Sequence, residues 1–403
     1  MACTGHSWPR RASHKELKEG NRIAQVVATS GQEVTLMARS DESLARATRK
    51  IEDSLSKLSA KGRIQESPGS VLKRIKTSTN FAKGVSDADL VIETVLEDIA
   101  LKKKILSVAD ANAPKHAILA TNTSGLSITV MAEATNRREK VIGMHWANPP
   151  QLMRLVEIVK TKYTGEDAFK TILDLSRRYG KETVVVNKDV WFFLAARAHS
   201  GWVFEANLMY LRKEAEPAEI DAVGRYKLGL PMGPFELMDF IGFVDVRSKS
   251  LESAEEILKS HPEFEPWPAY LTAARRLTDE LWRPMTEKGL SGVRTGKGFY
   301  TYPEAKYVKP EISQKLAEKI ELVEILAPAI NVAAWCVTHG VGDVASADKA
   351  VRLMYGWPKG PSQLLDELGA DNIAKVLRVK QERAPDWLRD YYELAPLITS
   401  WKS

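Results

Sequence analysis

His145 ends the apolar run Val141 to His145 and is followed by Trp146, Ala147, Asn148 and two prolines. An imidazole with an ordinary pKa near 6.5 suits proton transfer at neutral pH; the plainer alternative is a histidine that only satisfies a loop. Glu157 is the one charge in the apolar run Leu155 to Val159. Either it accepts a hydrogen bond from one ring nitrogen of His145 and raises the basicity of the other, or it faces solvent at a sheet edge. A buried carboxylate without a partner is costly. Thr121, Asn122, Thr123 and Ser124 follow the apolar run Ala117 to Thr121. Four small polar side chains there could hold a hydroxyl or a carboxamide, or simply cap the next helix.

These residues need a frame. Short β-rich runs alternate with helical stretches through the first half. Strands are expected at Glu33 to Met37, Asp89 to Glu93, Ala117 to Thr121, Val141 to His145, Leu155 to Lys160 and Thr183 to Val186. Helices are expected at Asn21 to Ser30, Asp41 to Lys61 and Ala100 to Asn112. This alternation predicts a mostly parallel sheet with crossover helices, whose strand ends are where ligands bind. From about Lys188 the period becomes helical, starting with a long helix over Trp191 to Arg212. Boundaries are expected near residue 187 and between Pro303 and Pro310.

At 403 residues the chain is long enough for two or three domains, and 44% hydrophobic with 27% charged residues is a globular balance. Two cysteines, Cys3 and Cys336, build no disulfide framework and stand in no metal-ligand spacing, so a reducing, cytoplasmic setting is expected and no metal. Basic residues near the start precede no apolar segment, so a secretory signal is not expected. The apolar stretch Val323 to Val337 is interrupted by Glu324, Pro328 and Asn331, short of the roughly 20 residues of a membrane helix. The net charge of +6 reads as a solvated surface or as attraction for an anionic ligand such as a nucleotide or coenzyme A. No basic stripe with interleaved aromatics suggests nucleic acid.

Residues 221–242 resemble residues 348–369 at a constant offset of 127. Asp221 matches Asp348, Gly229 matches Gly356, Pro231 matches Pro358, and Gly233-Pro234 matches Gly360-Pro361. Leu237, Asp239 and Gly242 match Leu364, Asp366 and Gly369. Shared Gly and Pro at fixed spacing specify backbone turns, so two tandem copies of one helical domain are expected.

Five segments together, 88–106, 120–128, 143–159, 228–242 and 294–302, resemble the L-3-hydroxyacyl-CoA dehydrogenase family in order and spacing. The resemblance is to its long form, with a duplicated C-terminal helical domain and without the enoyl-CoA hydratase domain of some members. It implies an α/β Rossmann-type NAD-binding domain over residues 1–187, then two all-α domains over 188–303 and 310–403. It implies that His145 is the catalytic base, Glu157 its partner, and Ser124 the hydrogen-bonder of the substrate's 3-hydroxyl. Asn148 would support substrate and nicotinamide; Glu93 and Asn122 would lie at the cofactor; Ser54 and Lys61 would contact coenzyme A. The reaction implied is proton abstraction by His145 with hydride transfer from C3 to NAD. An acyl-CoA is the partner expected, and the chain a monomer or a homodimer.

The sequence departs from the family at three places. Residues 1–20 carry no apolar strand and no G-x-G-x-x-G phosphate turn. The second strand ends in Ala38 and Arg39 where the family has an acid for the ribose, so NADP is not excluded. Ala196 stands where the family has a substrate-binding Asn. These leave two alternatives to the enzyme: a catalytically weak acyl-CoA-binding homologue, or a related dehydrogenase of free hydroxy acids.

Overall fold

The computed structural model describes residues 19–402. The phosphate turn and first strand sought near the N-terminus fall on residues 1–18, outside the described residues. The chain divides into two compact units, one of residues up to Ser124 with Ile128–Val185, the other of Gly125–Ser127 with Val186–Ser403. The excursion Gly125–Ser127 has a local cause: Ser127 Oγ donates to Asp189 Oδ2 at 2.8 Å, and Gly125 leaves room for the Phe192 ring, which a Cβ would meet at 2.9 Å.

The first unit alternates as expected. Its elements are α1 (Gly20–Thr29), β1 (Val34–Met37), α2 (Asp41–Ala60), α3 (Pro68–Leu72), β2 (Ile75–Ser78), α4 (Phe81–Gly84), β3 (Leu90–Glu93) and α5 (Ile99–Asn112). Then come β4 (Ile118–Thr121), α6 (Ile128–Ala132), β5 (Val141–Trp146), β6 (Leu155–Val159), α7 (Glu166–Arg178) and β7 (Glu182–Val186). Local sequence explains the helices. Ser40 caps α2 by accepting from Ser43 N, Asp41 and Glu42 sit in its first turn, and Leu44, Ala47, Ile51 and Leu55 form its buried stripe. Asp98 caps α5 in the same way, accepting from Leu101 N at 2.9 Å.

β1 and β2 pair in parallel, and a second sheet runs β3-β4-β5-β6-β7. β3, β4 and β5 are parallel, whereas β6 is antiparallel to β5. Helix α1 serves both sheets. Ile23 and Val27 pack among Ile118, Ala120 and Ile142, while Ala24 and Ala28 pack on Leu36 and Ala38. Among the described residues β1 and β3 each pair along one edge only. β2 was not expected, because in Ile-Lys-Thr-Ser one apolar residue is too little for a hydrophobic run.

The second unit is mostly helical: α8 (Ala195–Leu211), α9 (Pro217–Ala222), α10 (Pro234–Ile241), α11 (Phe243–Leu258), α12 (Pro268–Leu277) and α13 (Arg283–Glu287). After a stretch of short turns come α14 (Leu322–Thr338), α15 (Val344–Tyr355), α16 (Pro361–Leu368) and α17 (Ala370–Arg383). The helix expected from Trp191 starts only at Ala195. Phe192 and Phe193 have φ of 66° and 53°, the left-handed region that ends helical propagation. Burial of Trp191 and Phe193, with Trp191 Nε1 donating to Ser250 Oγ at 3.1 Å, holds that turn against helical preference. α8 and α14 approach closely at Gly201, where a Cβ would lie 2.6 Å from Ala329 Cα. No helix among the described residues is long and apolar enough to cross a membrane.

Candidate active site

The register of β5 against β6 sets His145 directly opposite Glu157. Opposed residues of an antiparallel pair project to the same face, and here Nδ1 lies 2.7 Å from Glu157 Oε2. Glu157 is fully buried and His145 is 9% exposed. Burial opposes a charge on the imidazole, but the hydrogen bond and charge of Glu157, then the charges of Glu19 and Glu97, outweigh it. They hold the His145 pKa above its ordinary 6.5. The alternative of a solvent-facing Glu157 is excluded by its burial. The carboxylate bond at Nδ1 fixes the orientation of the ring and favours the tautomer protonated there.

A second cluster lies at the ends of β3 and β4. Glu93 is buried and takes Lys102 Nζ on both oxygens at 3.0 Å, with Thr121 Oγ1 on Oε2 at 2.6 Å. Lys102 is itself 1% exposed. Burial opposes its charge, but Glu93 and Glu97 more than restore it, so its pKa is raised. Glu97 accepts from Thr123 Oγ1 at 2.5 Å and from Ser124 N at 3.0 Å, with Ser124 Oγ at 3.4 Å. Glu93 thus spends its carboxylate inside the protein, and it is Glu97 that meets the exposed Ser124.

Asn122 and Asn148 meet through a third group. Asn122 Nδ2 donates to Glu19 Oε2 at 2.7 Å and Asn148 Nδ2 to Glu19 Oε1 at 3.3 Å. Asn122 Oδ1 accepts from Trp146 N at 2.9 Å, next to His145. The structure therefore gathers His145, Glu157, Asn122 and Asn148, with Ser124 and Glu93 in the adjoining network. Ser54 is half-buried on α2 and Lys61 is exposed at its end, and among the described residues no hydrogen bond joins either to this cluster. Sequence reading missed Glu19, Glu97 and Lys102. Lys102 did carry a signal, since it falls on the buried stripe of α5 with Ile105, Leu106 and Ala109.

The first turn of α1 fits the phosphates of a dinucleotide. Among the described residues no side chain caps it, and a helix N-terminus favours an anion. Gly20 opens the approach, since a Cβ there would come within 2.7 Å of Thr94 Oγ1. Among the described residues Asn21 Oδ1 is buried with no hydrogen-bond partner.

Residues 19–190 match the NAD-binding domain of 3-hydroxyacyl-CoA dehydrogenase, and residues 193–302 and 322–399 match its C-terminal domain. The mitochondrial hydroxyacyl-coenzyme A dehydrogenase of Sus scrofa is 35% identical over 290 residues, 70% of this chain and 88% of that protein. A probable 3-hydroxybutyryl-CoA dehydrogenase of Deinococcus radiodurans is 33% identical over 283 residues, 70% of this chain and 96% of the relative. The solved (S)-3-hydroxybutyryl-CoA dehydrogenase of Ralstonia eutropha superposes with a TM-score of 0.63 at 32% identity, covering 71% of this chain and 96% of that one. The Escherichia coli 3-hydroxybutyryl-CoA dehydrogenase reaches 0.78 over 95% of this chain and 96% of its own, but at 23% identity that likeness concerns the fold alone. With its NAD-binding domain and the helical region after it both matched, the chain belongs to the 3-hydroxyacyl-CoA dehydrogenase family.

Proposed function

We propose that the chain oxidises an L-3-hydroxyacyl-CoA to the 3-ketoacyl-CoA in an NAD-dependent reaction, and reduces the ketone in reverse. The observation that carries this is the buried His145–Glu157 pair at 2.7 Å across paired strands. Nε2 of His145 takes the proton of the 3-hydroxyl, and Glu157 holds Nδ1–H and stabilises the imidazolium that results. Ser124 Oγ, which donates to Glu97 at 3.4 Å, would turn that proton to the same hydroxyl oxygen when substrate binds. Asn148 and Asn122 supply carboxamide donors for substrate and nicotinamide. Glu93 acts through Lys102 and Thr121 as a positioning residue. The first turn of α1 would hold the dinucleotide phosphates, and NAD supplies the hydride acceptor when bound. Ser54 and Lys61 on α2 are assigned to coenzyme A, Lys61 as a cation for phosphate. Acetoacetyl-CoA should support NADH oxidation; turnover of free hydroxy acids and none of thioesters would refute the assignment. Ala196, in place of a hydrogen-bonding Asn, favours one rival, a weak acyl-CoA-binding homologue. That rival would bind acetoacetyl-CoA with little or no turnover.

The same reading divides the chain into residues 1–187, 188–303 and 310–403, the last two being copies of one helical domain. Four helix starts support it at the offset of 127: Ala195 and Leu322, Pro217 and Val344, Pro234 and Pro361, Phe243 and Ala370. So does a shared device. Asp221 accepts from Phe235 N and Glu236 N at 2.9 Å, and Asp348 accepts from Ser362 N at 2.9 Å. In each case the Asp packs on the glycine before the helix, Gly233 or Gly360, where no Cβ would fit. The few cysteines support a cytoplasmic setting.

A further inference from the structure

Glu19 precedes α1, yet its carboxylate does not cap that helix. It reaches instead to the ends of two other segments, accepting from Asn122 Nδ2 at 2.7 Å and Asn148 Nδ2 at 3.3 Å. Both carboxamides are pinned from behind. Asn122 Oδ1 accepts from Trp146 N at 2.9 Å, and Asn148 Oδ1 accepts from Arg22 Nη1 at 2.8 Å. Fixing each Oδ1 fixes the direction of the NH2 beside it. Two pinned donors that converge on one point form a socket for ligand oxygen, and this chain fills the socket with its own oxygens. The position suits an anion, because the N-terminal end of α1 carries partial positive charge. It is held unequally, tightly by Asn122 and loosely by Asn148. Asn148 is exposed, and its 3.3 Å bond is long for a charge-assisted pair.

We propose that Glu19 is a resident competitor: its carboxylate occupies the Asn122–Asn148 donor pair, and a nicotinamide cofactor gains those donors only by displacing it. Glu19 then sets cofactor affinity, since apparent binding is weakened by the fraction of chains in which the socket is closed. This rests on the reading of the chain as an NAD-dependent dehydrogenase. A structural strut predicts the opposite, because loosening the two amides would weaken whatever binds to them.

The test uses the full chain with Glu19→Ala and Glu19→Gln. NADH binding is read by nucleotide fluorescence, and the His145 titration by imidazole NMR. Glu19→Ala should tighten NADH binding by about tenfold or more. Glu19→Gln, which keeps an oxygen for one amide, should fall between Glu19→Ala and wild type. The His145 titration should move to lower pH in both, because the Glu19 charge is one of those that raise it. Equal or weaker NADH binding by both variants, while wild type binds measurably, would overturn the competitor role and leave the dehydrogenase reading standing. No NADH binding by wild type or either variant would overturn both.

Discussion

Replacing Glu157 with Gln should isolate what the buried carboxylate contributes. The side chains are isosteric, so Gln can still offer an oxygen to Nδ1–H, and what disappears is the charge. Unit charges about 4 Å apart at an effective dielectric of about 20 attract by about 4 kcal/mol. The 2.7 Å contact between Nδ1 and Oε2 and the full burial of Glu157 place the pair in that range. If the imidazolium were fully formed in the transition state, the whole amount would be lost, about 10³-fold in kcat. With the proton half transferred, about 30-fold would be lost. The pH profile gives an independent check. As a base His145 must be neutral, and its pKa lies above 6.5 once Glu157 has overcome the cost of burial. Oxidation should therefore rise with pH along a limb centred above 6.5, while ketone reduction, which needs the imidazolium, should fall through the same range. In Glu157→Gln both limbs should move toward acid, with acyl-CoA binding nearly unchanged. Steady-state oxidation of 3-hydroxybutyryl-CoA across pH tests both parts. A loss of less than about threefold, or limbs that stay in place, would refute the pairing.

Four further substitutions test other parts of the molecule. Ala196→Asn should raise kcat with 3-hydroxyacyl-CoA by about tenfold or more if the missing hydrogen bonder limits turnover. Because Ala196 is buried, the larger side chain should also cost about 1–3 kcal/mol of stability; unchanged turnover in a folded variant would refute the assignment. Arg197→Met should destabilise the helical region by about 3–5 kcal/mol. Arg197 and Glu265 are both fully buried and joined by bonds of 2.7 and 2.8 Å, so the variant strands a carboxylate. Adding Glu265→Gln should recover part of the loss, as denaturant melts of the four proteins would show. Gly201→Ala forces a Cβ to within 2.6 Å of Ala329 Cα, a backbone contact that cannot yield cheaply. It should cost about 1–3 kcal/mol, and an unchanged melting temperature would show that α8 and α14 pack more loosely than described.

The sequence made some parts of this molecule readable and left others dark for identifiable reasons. His145 and Glu157 were visible because each breaks an apolar strand, and a strand that carries a lone charge inward must give it a partner. Asn122 and Ser124 were visible because polar residues after a buried strand stand where ligands bind. Glu19 and Glu97 gave no such sign. Glu19 lies in a polar stretch and Glu97 in the loop before α5, and apart from Lys102 their side-chain partners are between 26 and 129 residues away. Sequence periodicity reports burial along one element and is silent about which loops meet. The start of α8 was misplaced for a related reason. Trp191, Phe192 and Phe193 read as the apolar face of a helix, but aromatic packing selected a left-handed turn instead.

The proposed duplication rests on glycine and proline, which constrain backbone directly, and the packing of α8 on α14 adds an argument that sequence could not. At the offset of 127, Gly201 corresponds to Pro328. The backbone that crowds Gly201 is that of Pro328 and Ala329, at 3.0 and 2.6 Å from where a Cβ would stand. If the two regions are copies, equivalent positions therefore meet each other. Where residues of identical subunits meet their own equivalents, the interface is isologous and twofold. The duplication proposed above would then set the two helical copies in an approximate twofold relation, with α8 against α14. Gly201 is small because the other backbone comes so close. Pro328 is tolerated inside α14 at a cost that tight packing must offset.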